Sequence, residues 1–132
     1  MKIFPILIVV GALFLLSCSD LGMPSEIQLD SSIRGKTIYY ARNEQFSLEL
    51  DVHADGGYQW DCRLSDSTVV KIVSTNYRPK NDAPIIPGGM TVETFHFQPL
   101  HTGQSTIELS ERQEWLKDVP PINTLRFVII VR

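Results

Sequence analysis

The sequence predicts an all-β fold, an immunoglobulin-like antiparallel β-sandwich of about seven strands, and three observations carry that reading. Apolar and polar residues alternate with period two in several short runs after residue 36, as strands with one buried face require. Clusters of Gly, Pro, Asp and Ser interrupt those runs at short intervals, which is turn chemistry. The same stretch carries no convincing helical periodicity. A chain of 132 residues with 43% hydrophobic content is one domain's worth, with enough apolar surface to fold.

The elements follow in order. Residues 37–41 hold Ile38, Tyr39 and Tyr40, a strand composition. The run 46–52 alternates, so Phe46, Leu48, Leu50 and Val52 share one face. Asp55-Gly56-Gly57 turns the chain into 58–64, where Tyr58, Trp60, Cys62 and Leu64 share the apolar parity. Ser65-Asp66-Ser67 is a second turn, and 68–77 is rich in β-branched residues. Residues 78–89 contain Pro79, Pro84, Pro87, Gly88 and Gly89 and must be a loop. The run 91–100 alternates again, with Val92, Phe95 and Phe97 as core candidates. Thr102-Gly103 leads into a strand at 105–109 with Ile107 and Leu109 inward. Residues 111–121 read as a polar loop with one large aromatic, Trp115, and 124–131 closes the domain as an apolar strand.

The N-terminus has a different character. Lys2 precedes an apolar stretch over 3–16, then Ser17-Cys18. A short positive region, an apolar run and a small residue before a cleavage point make a secretory signal. The run is short of the about 20 apolar residues that a spanning helix needs. Leu15-Leu16-Ser17-Cys18 resembles a bacterial lipobox, so residues 1–17 are expected to be a lipoprotein signal and Cys18 the lipidated residue. Residues 18–35, rich in Ser, Asp, Gly and Pro, are expected to be a tether and approach, with the domain at 36–132. The expected location is the bacterial cell envelope, lipid-anchored to a membrane, either the outer membrane or a periplasmic face. Lipidation of Cys18 leaves Cys62 without a partner in the chain, and the fold must rest on its apolar core.

Several function classes find no support. A net charge of −3 leaves no basic footprint for nucleic acid. Cys62 shares the parity of Trp60 and Leu64, so it reads as a small core hydrophobe and not as a nucleophile served by His53, His96 or His101. Those histidines lack metal-site spacing, and the carboxylates are scattered with no motif pairing them. Gly56-Gly57 and Gly88-Gly89 lead into strands, not into a helix that could cradle phosphate. No enzyme activity, cofactor or metal is expected.

Three loops stand out instead: one before Tyr58-Gln59-Trp60, one ending Pro87-Gly88-Gly89, and one holding Arg112 and Trp115. Loops of a sandwich gather at its ends, and an exposed tryptophan in a polar loop marks a contact surface. The motifs around these loops resemble the chagasin-like inhibitors of papain-type cysteine proteases. The first loop of that family reads Asn-Pro-Thr-Thr-Gly, then Tyr or Phe, one further residue and Trp; here it is His53-Ala54-Asp55-Gly56-Gly57-Tyr58-Gln59-Trp60. The glycine-rich second loop leads into a strand of the type Gly-Thr-Glu-Thr-Phe; here Gly88-Gly89-Met90-Thr91-Val92-Glu93-Thr94-Phe95. The third follows a Gly-x-Ser/Thr-x-Ile/Leu strand and holds Arg-Pro-Trp or Arg-Pro-Phe; here Gly103-Gln104-Ser105-Thr106-Ile107 precedes Arg112-Gln113-Glu114-Trp115.

The resemblance implies an inhibitor that works by occupying a protease cleft, with no chemistry of its own. The implied contact residues are His53, Ala54, Asp55, Gly56, Gly57 and Tyr58, then Pro87, Gly88, Gly89 and Met90, then Arg112, Gln113, Glu114 and Trp115. The implied partner is a papain-type cysteine protease bound by a monomer. Gly56-Gly57 in place of Thr-Gly makes the first loop costlier to order, and Asp55 brings a charge into the cleft. Both imply weaker or retargeted inhibition. The alternative reading is a non-inhibitory immunoglobulin-like envelope lipoprotein that holds another protein or a glycan.

Overall fold

Period-two alternation turns this chain into sheet, and the burial follows it most clearly over residues 105–111 and 125–131. In the computed structural model, which describes residues 26–80 and 90–132, eight strands form two four-stranded sheets. They are β1 (Ile27–Leu29), β2 (Thr37–Tyr40), β3 (Phe46–Val52), β4 (Tyr58–Leu64), β5 (Val70–Pro79), β6 (Thr91–Pro99), β7 (Gly103–Gln113) and β8 (Asn123–Val131). One sheet has the order β1-β3-β6-β5 and the other β2-β8-β7-β4. The all-β sandwich is as the alternation predicts.

The expected count of about seven strands is one short, and the sandwich is not wholly antiparallel. β1 pairs with β3, and β2 with β8, in parallel; the other pairings are antiparallel. The additional strand is β1, which lies in the stretch 18–35 read as tether and approach. Three residues are too few for periodicity to register. After β1 a single 3-10 turn, Ser31–Ile33, carries the chain from the first sheet to the second. The Asp30 carboxylate caps that turn by accepting from the Ser32 amide at 2.8 Å. Ile33 is buried in the core, the Gly35 amide donates to the Arg126 carbonyl, and the Arg34 guanidinium donates to the Thr124 carbonyl. The sandwich thus takes in residues upstream of 36.

The inner faces meet in one core. Phe46, Leu48, Leu50 and Val52 of β3 face Ile107 and Leu109 of β7 and Leu125, Phe127, Ile129 and Val131 of β8 within a single cluster. Tyr40 stacks on Phe46 with ring centroids 4.5 Å apart, and Phe46 on Phe97 at 4.9 Å. Burial of each such side chain stabilises the fold by roughly 2 to 3 kcal/mol. Phe95 and Phe97 are core residues as read from the sequence. Val92 is buried too, but on the other face of β6: it sits in register between Asp51 and Arg78, outside the main cluster. The inner position next to it belongs to Glu93, registered with Leu50.

β7 extends further than the sequence suggests. Its expected end at 109 is at Gln113, because Glu111, Arg112 and Gln113 continue the ladder opposite Trp60, Gln59 and Tyr58. Arg112 and Gln113 are therefore strand residues and not part of the loop. The polar composition hid this, since Glu111 occupies an inward position that an apolar residue would normally mark.

Candidate functional site

Strand register brings three connections to one rim. Val52, the last residue of β3, is level with Thr91 at the start of β6, and Thr91 is level with Pro79 at the end of β5. In the other sheet Tyr58, which opens β4, pairs with Gln113 at the end of β7, and Glu111 pairs with Asn123 at the start of β8. The β3–β4, β5–β6 and β7–β8 connections therefore spring from the same end of the sandwich. The Lys80 amide donates to the Met90 carbonyl at 3.0 Å and extends the second connection's base. Pro87, Gly88 and Gly89 lie outside the described residues.

The first connection is a tight, braced turn. Ala54–Gly56 form one 3-10 turn, and Gly57 ends it in the left-handed region at φ 75°, donating its N–H to the Ala54 carbonyl. A residue with a Cβ is strained there, which explains the glycine. Asp55 is exposed at the tip. Gln113 Nε2 donates to the Gly56 carbonyl at 2.7 Å, tying the turn to the end of β7. The His53 ring meets the Tyr58 ring edge-on at 6.3 Å. These contacts offset the conformational freedom that a Gly-Gly pair would otherwise bring.

Trp115 sits beside that turn and stays 65% exposed. Its indole covers Gly57 so closely that a Cβ built there would lie 2.8 Å from Cζ3. The neighbouring Glu114 accepts from Gln59 Nε2 at 3.1 Å. The first and third loops are thus one surface, with the tryptophan as its exposed aromatic. Leu116, Val119 and Ile122 continue the third loop as exposed apolar residues. Arg112 points from β7 opposite Gln59.

Two buried carboxylates stand behind the rim, one from each sheet. Glu111 is fully buried and accepts at Oε1 from the His53 amide (2.9 Å) and from His53 Nδ1 (2.8 Å), and at Oε2 from Asn123 Nδ2 (2.6 Å). Burial pushes its carboxyl upward, but the hydrogen bonds from Asn123 and His53, with the charge of the imidazole, outweigh that and leave it below the usual range. Glu93, 1% exposed, accepts from the Trp60 amide at 3.1 Å and from the Tyr77 hydroxyl at 2.9 Å. Because β4 is an edge strand, the Trp60 N–H is otherwise unpaired, and Glu93 reaches across from the other sheet to satisfy it. Burial raises the Glu93 carboxyl above its ordinary value; the bonds from Trp60 and Tyr77 offset this in part, and the charge of Glu111 adds to it.

Known proteins share this chain's pattern and its fold. The pattern described as chagasin family peptidase inhibitor I42 matches residues 40–131. The chain belongs to the chagasin family. Amoebiasin-2 of Entamoeba histolytica is 21% identical over 96 residues, covering 73% of this chain and 77% of that protein. The crystal structure of the cysteine protease inhibitor EhICP2 from Entamoeba histolytica superposes with a TM-score of 0.72 at 18% identity, over 80% of this chain and 95% of that one. The solution structure of amebosin gives 0.66 at 22% identity, over 81% and 98%. Both share the fold.

Membership in the chagasin family makes the chain an inhibitor-family protein and not an enzyme. Cys62 agrees with that physically: burial first, then the charges of Asp61 and Glu93, push its thiol up to about 12, the reverse of what a nucleophile needs. Of the residues singled out from the sequence, His53 to Tyr58, Gln113, Glu114 and Trp115 are brought together, with Arg112 and Met90 at the bases of their loops. Glu111 lies outside the chagasin-like motifs, and Glu93 lies within the second of them without being marked as part of the site. Parity could have marked both: each occupies an inward position of its strand, on the same face as Phe95 and Phe97 or as Ile107 and Leu109, and a carboxylate is rarely buried without partners.

Proposed function

We propose that this chain is a lipid-anchored inhibitor of papain-type cysteine proteases that fills the active-site cleft with its three-loop rim. The observation that carries the reading is the packing of Trp115 on Gly57, which makes two distant motifs one exposed surface. The solved neighbour EhICP2 is described as a cysteine protease inhibitor, and the shared family supports the same partner class here. Inhibition by this rim is physical occlusion. The first turn enters, the second and third loops grip the sides, and the braced first turn loses little entropy on docking. The interface would bury on the order of 800 Å² per partner. Asp55 at the tip favours a target whose cleft offers a hydrogen-bond donor, since an unpaired carboxylate is costly to bury. The signal-like residues 1–17 and the lipobox-like Leu15-Leu16-Ser17-Cys18 support acylation of Cys18 and display at the bacterial envelope.

The test titrates the purified protein against a panel of papain-type proteases, each also with its catalytic thiol blocked by a small group. Competitive inhibition, with binding retained by blocked enzyme, is the expected result. Absence of inhibition of every panel member at micromolar concentration would reject the proposal. Mass spectrometry of the N-terminal peptide from expressing bacteria checks the anchor: Cys18 is expected to carry acyl chains.

A further inference from the structure

We infer that Glu111 is the positioning residue of the rim: its buried carboxylate holds the first loop through His53 and the third through Asn123, and so sets the pose in which the rim meets a protease. The protease half of that statement rests on the proposed function; the positioning half rests on geometry alone. Glu111 is fully buried on the inner face of β7, in the same parity as Ile107 and Leu109. An apolar residue there would pack without desolvating a charge. What the carboxylate supplies instead is three acceptor contacts, and all three go to the roots of loops.

His53 Nδ1 and the His53 amide fix the residue from which the first turn departs. Asn123 Nδ2 fixes the first residue after the third loop. The backbone of Glu111 adds a further tie, because its carbonyl accepts from the Ile122 amide at 2.9 Å. Two residues on, Gln113 reaches the Gly56 carbonyl. The loop held in this way needs it. Its Ala54-Asp55-Gly56-Gly57 run holds two glycines and no proline, so the stiffness that a proline builds into the chain is missing. Here the stiffness comes from outside the turn. His53 is the side chain that reaches Glu111.

Of the two protons on the Gly57 Cα, the one in the direction a side chain would take reports directly on this arrangement. It lies against the Trp115 indole, so its resonance is displaced by the aromatic ring current whenever the first and third loops keep their pose. The experiment compares the wild type with Glu111→Leu, Glu111→Gln and His53→Ala, reading the Gly57 Hα shift by NMR, the melting temperature, and affinity for a thiol-blocked papain-type protease. Leucine fills the volume but accepts no hydrogen bond. In Glu111→Leu the ring-current displacement is expected to collapse and affinity to fall about tenfold or more, as loss of charge-assisted bonds implies. Glutamine still accepts from the His53 amide, so Glu111→Gln is expected to lie between leucine and wild type in both readings. An unchanged Gly57 shift and unchanged affinity in Glu111→Leu overturn the inference, and so does a loss in both that merely tracks melting temperature across the variants. Should Glu111→Leu not fold, His53→Ala decides: it removes the ring bond at a half-exposed residue, and no movement of the Gly57 shift overturns the inference. Wild type that binds no protease refutes the proposed function and leaves the NMR reading of the clamp standing on its own.

Discussion

The Trp115 indole occupies the space where any side chain at position 57 would have to begin. With its Cζ3 2.8 Å from an ideal Cβ, the ring in this pose leaves no room for a Cβ, and any residue but glycine would have to turn it aside. The left-handed φ of 75° at Gly57 imposes the same choice from the backbone side. Two independent constraints thus select one residue, and the one that involves Trp115 joins the β3–β4 turn to the β7–β8 loop.

Gly57→Ala separates those constraints. The positive φ alone costs an alanine roughly 1 to 2 kcal/mol, and the melting temperature is expected to drop accordingly. The indole is free to swing outward, because the colliding atoms are at the far end of its side chain. Protease affinity is therefore expected to fall further than the stability loss accounts for. Calorimetric binding beside thermal unfolding checks this; affinity unchanged at a lowered melting temperature would mean that the indole pose is irrelevant to binding.

Trp115→Ala removes the same contact from the other side. The side chain is 65% exposed, so its truncation leaves the core untouched and should move stability by no more than about 0.5 kcal/mol. An exposed tryptophan at the centre of a contact surface commonly carries about 2 kcal/mol or more of binding energy. A loss of affinity of that size, with an unshifted unfolding transition, is the expected pair of results. The reverse pair, a large drop in melting temperature with binding intact, would place Trp115 in the architecture and not in the interface.

Much of this was legible in the residues. Alternation in Phe46-Ser47-Leu48-Glu49-Leu50 and in Tyr58-Gln59-Trp60 fixes which face is buried, and the glycines and prolines fix where the chain turns. β1 was not legible, because three residues paired in parallel to a sheet edge depend on a long-range contact and carry no period of their own. The end of β7 was hidden by chemistry: Glu111, Arg112 and Gln113 read as loop by polarity, yet the ladder and the His53–Glu111 contact keep them in the sheet. Register, which sequence does not print, is what brings His53, Gln113 and Trp115 onto one rim.

The two buried glutamates, though alike in depth, should respond to pH with opposite sign. Glu93 has its carboxyl raised, first by burial and further by the charge of Glu111. Its folded form therefore holds the proton more tightly than the unfolded chain does. The resulting stability is fully present below the unfolded carboxyl's ionisation and is lost as pH rises through the folded value. Glu111 has its carboxyl lowered by the bonds from Asn123 and His53, so its contribution is present above the unfolded value and fades as pH falls through the folded one. Glu93→Gln isolates the first effect. A neutral amide accepts from the Trp60 amide at its oxygen and donates to the Tyr77 hydroxyl, which turns to receive it. The variant is expected to match wild type at the acid end, near about pH 4, and to melt a few degrees higher near about pH 7.5, where wild-type folding must either bury the charge or take up a proton that the unfolded chain has lost. Melting curves across that range check the sign. A gap between variant and wild type that stays constant with pH would show that Glu93 holds the same proton in the folded and unfolded chain, and a gap that closes towards neutral pH would show that Trp60 and Tyr77 stabilise the charged form more than burial disfavours it.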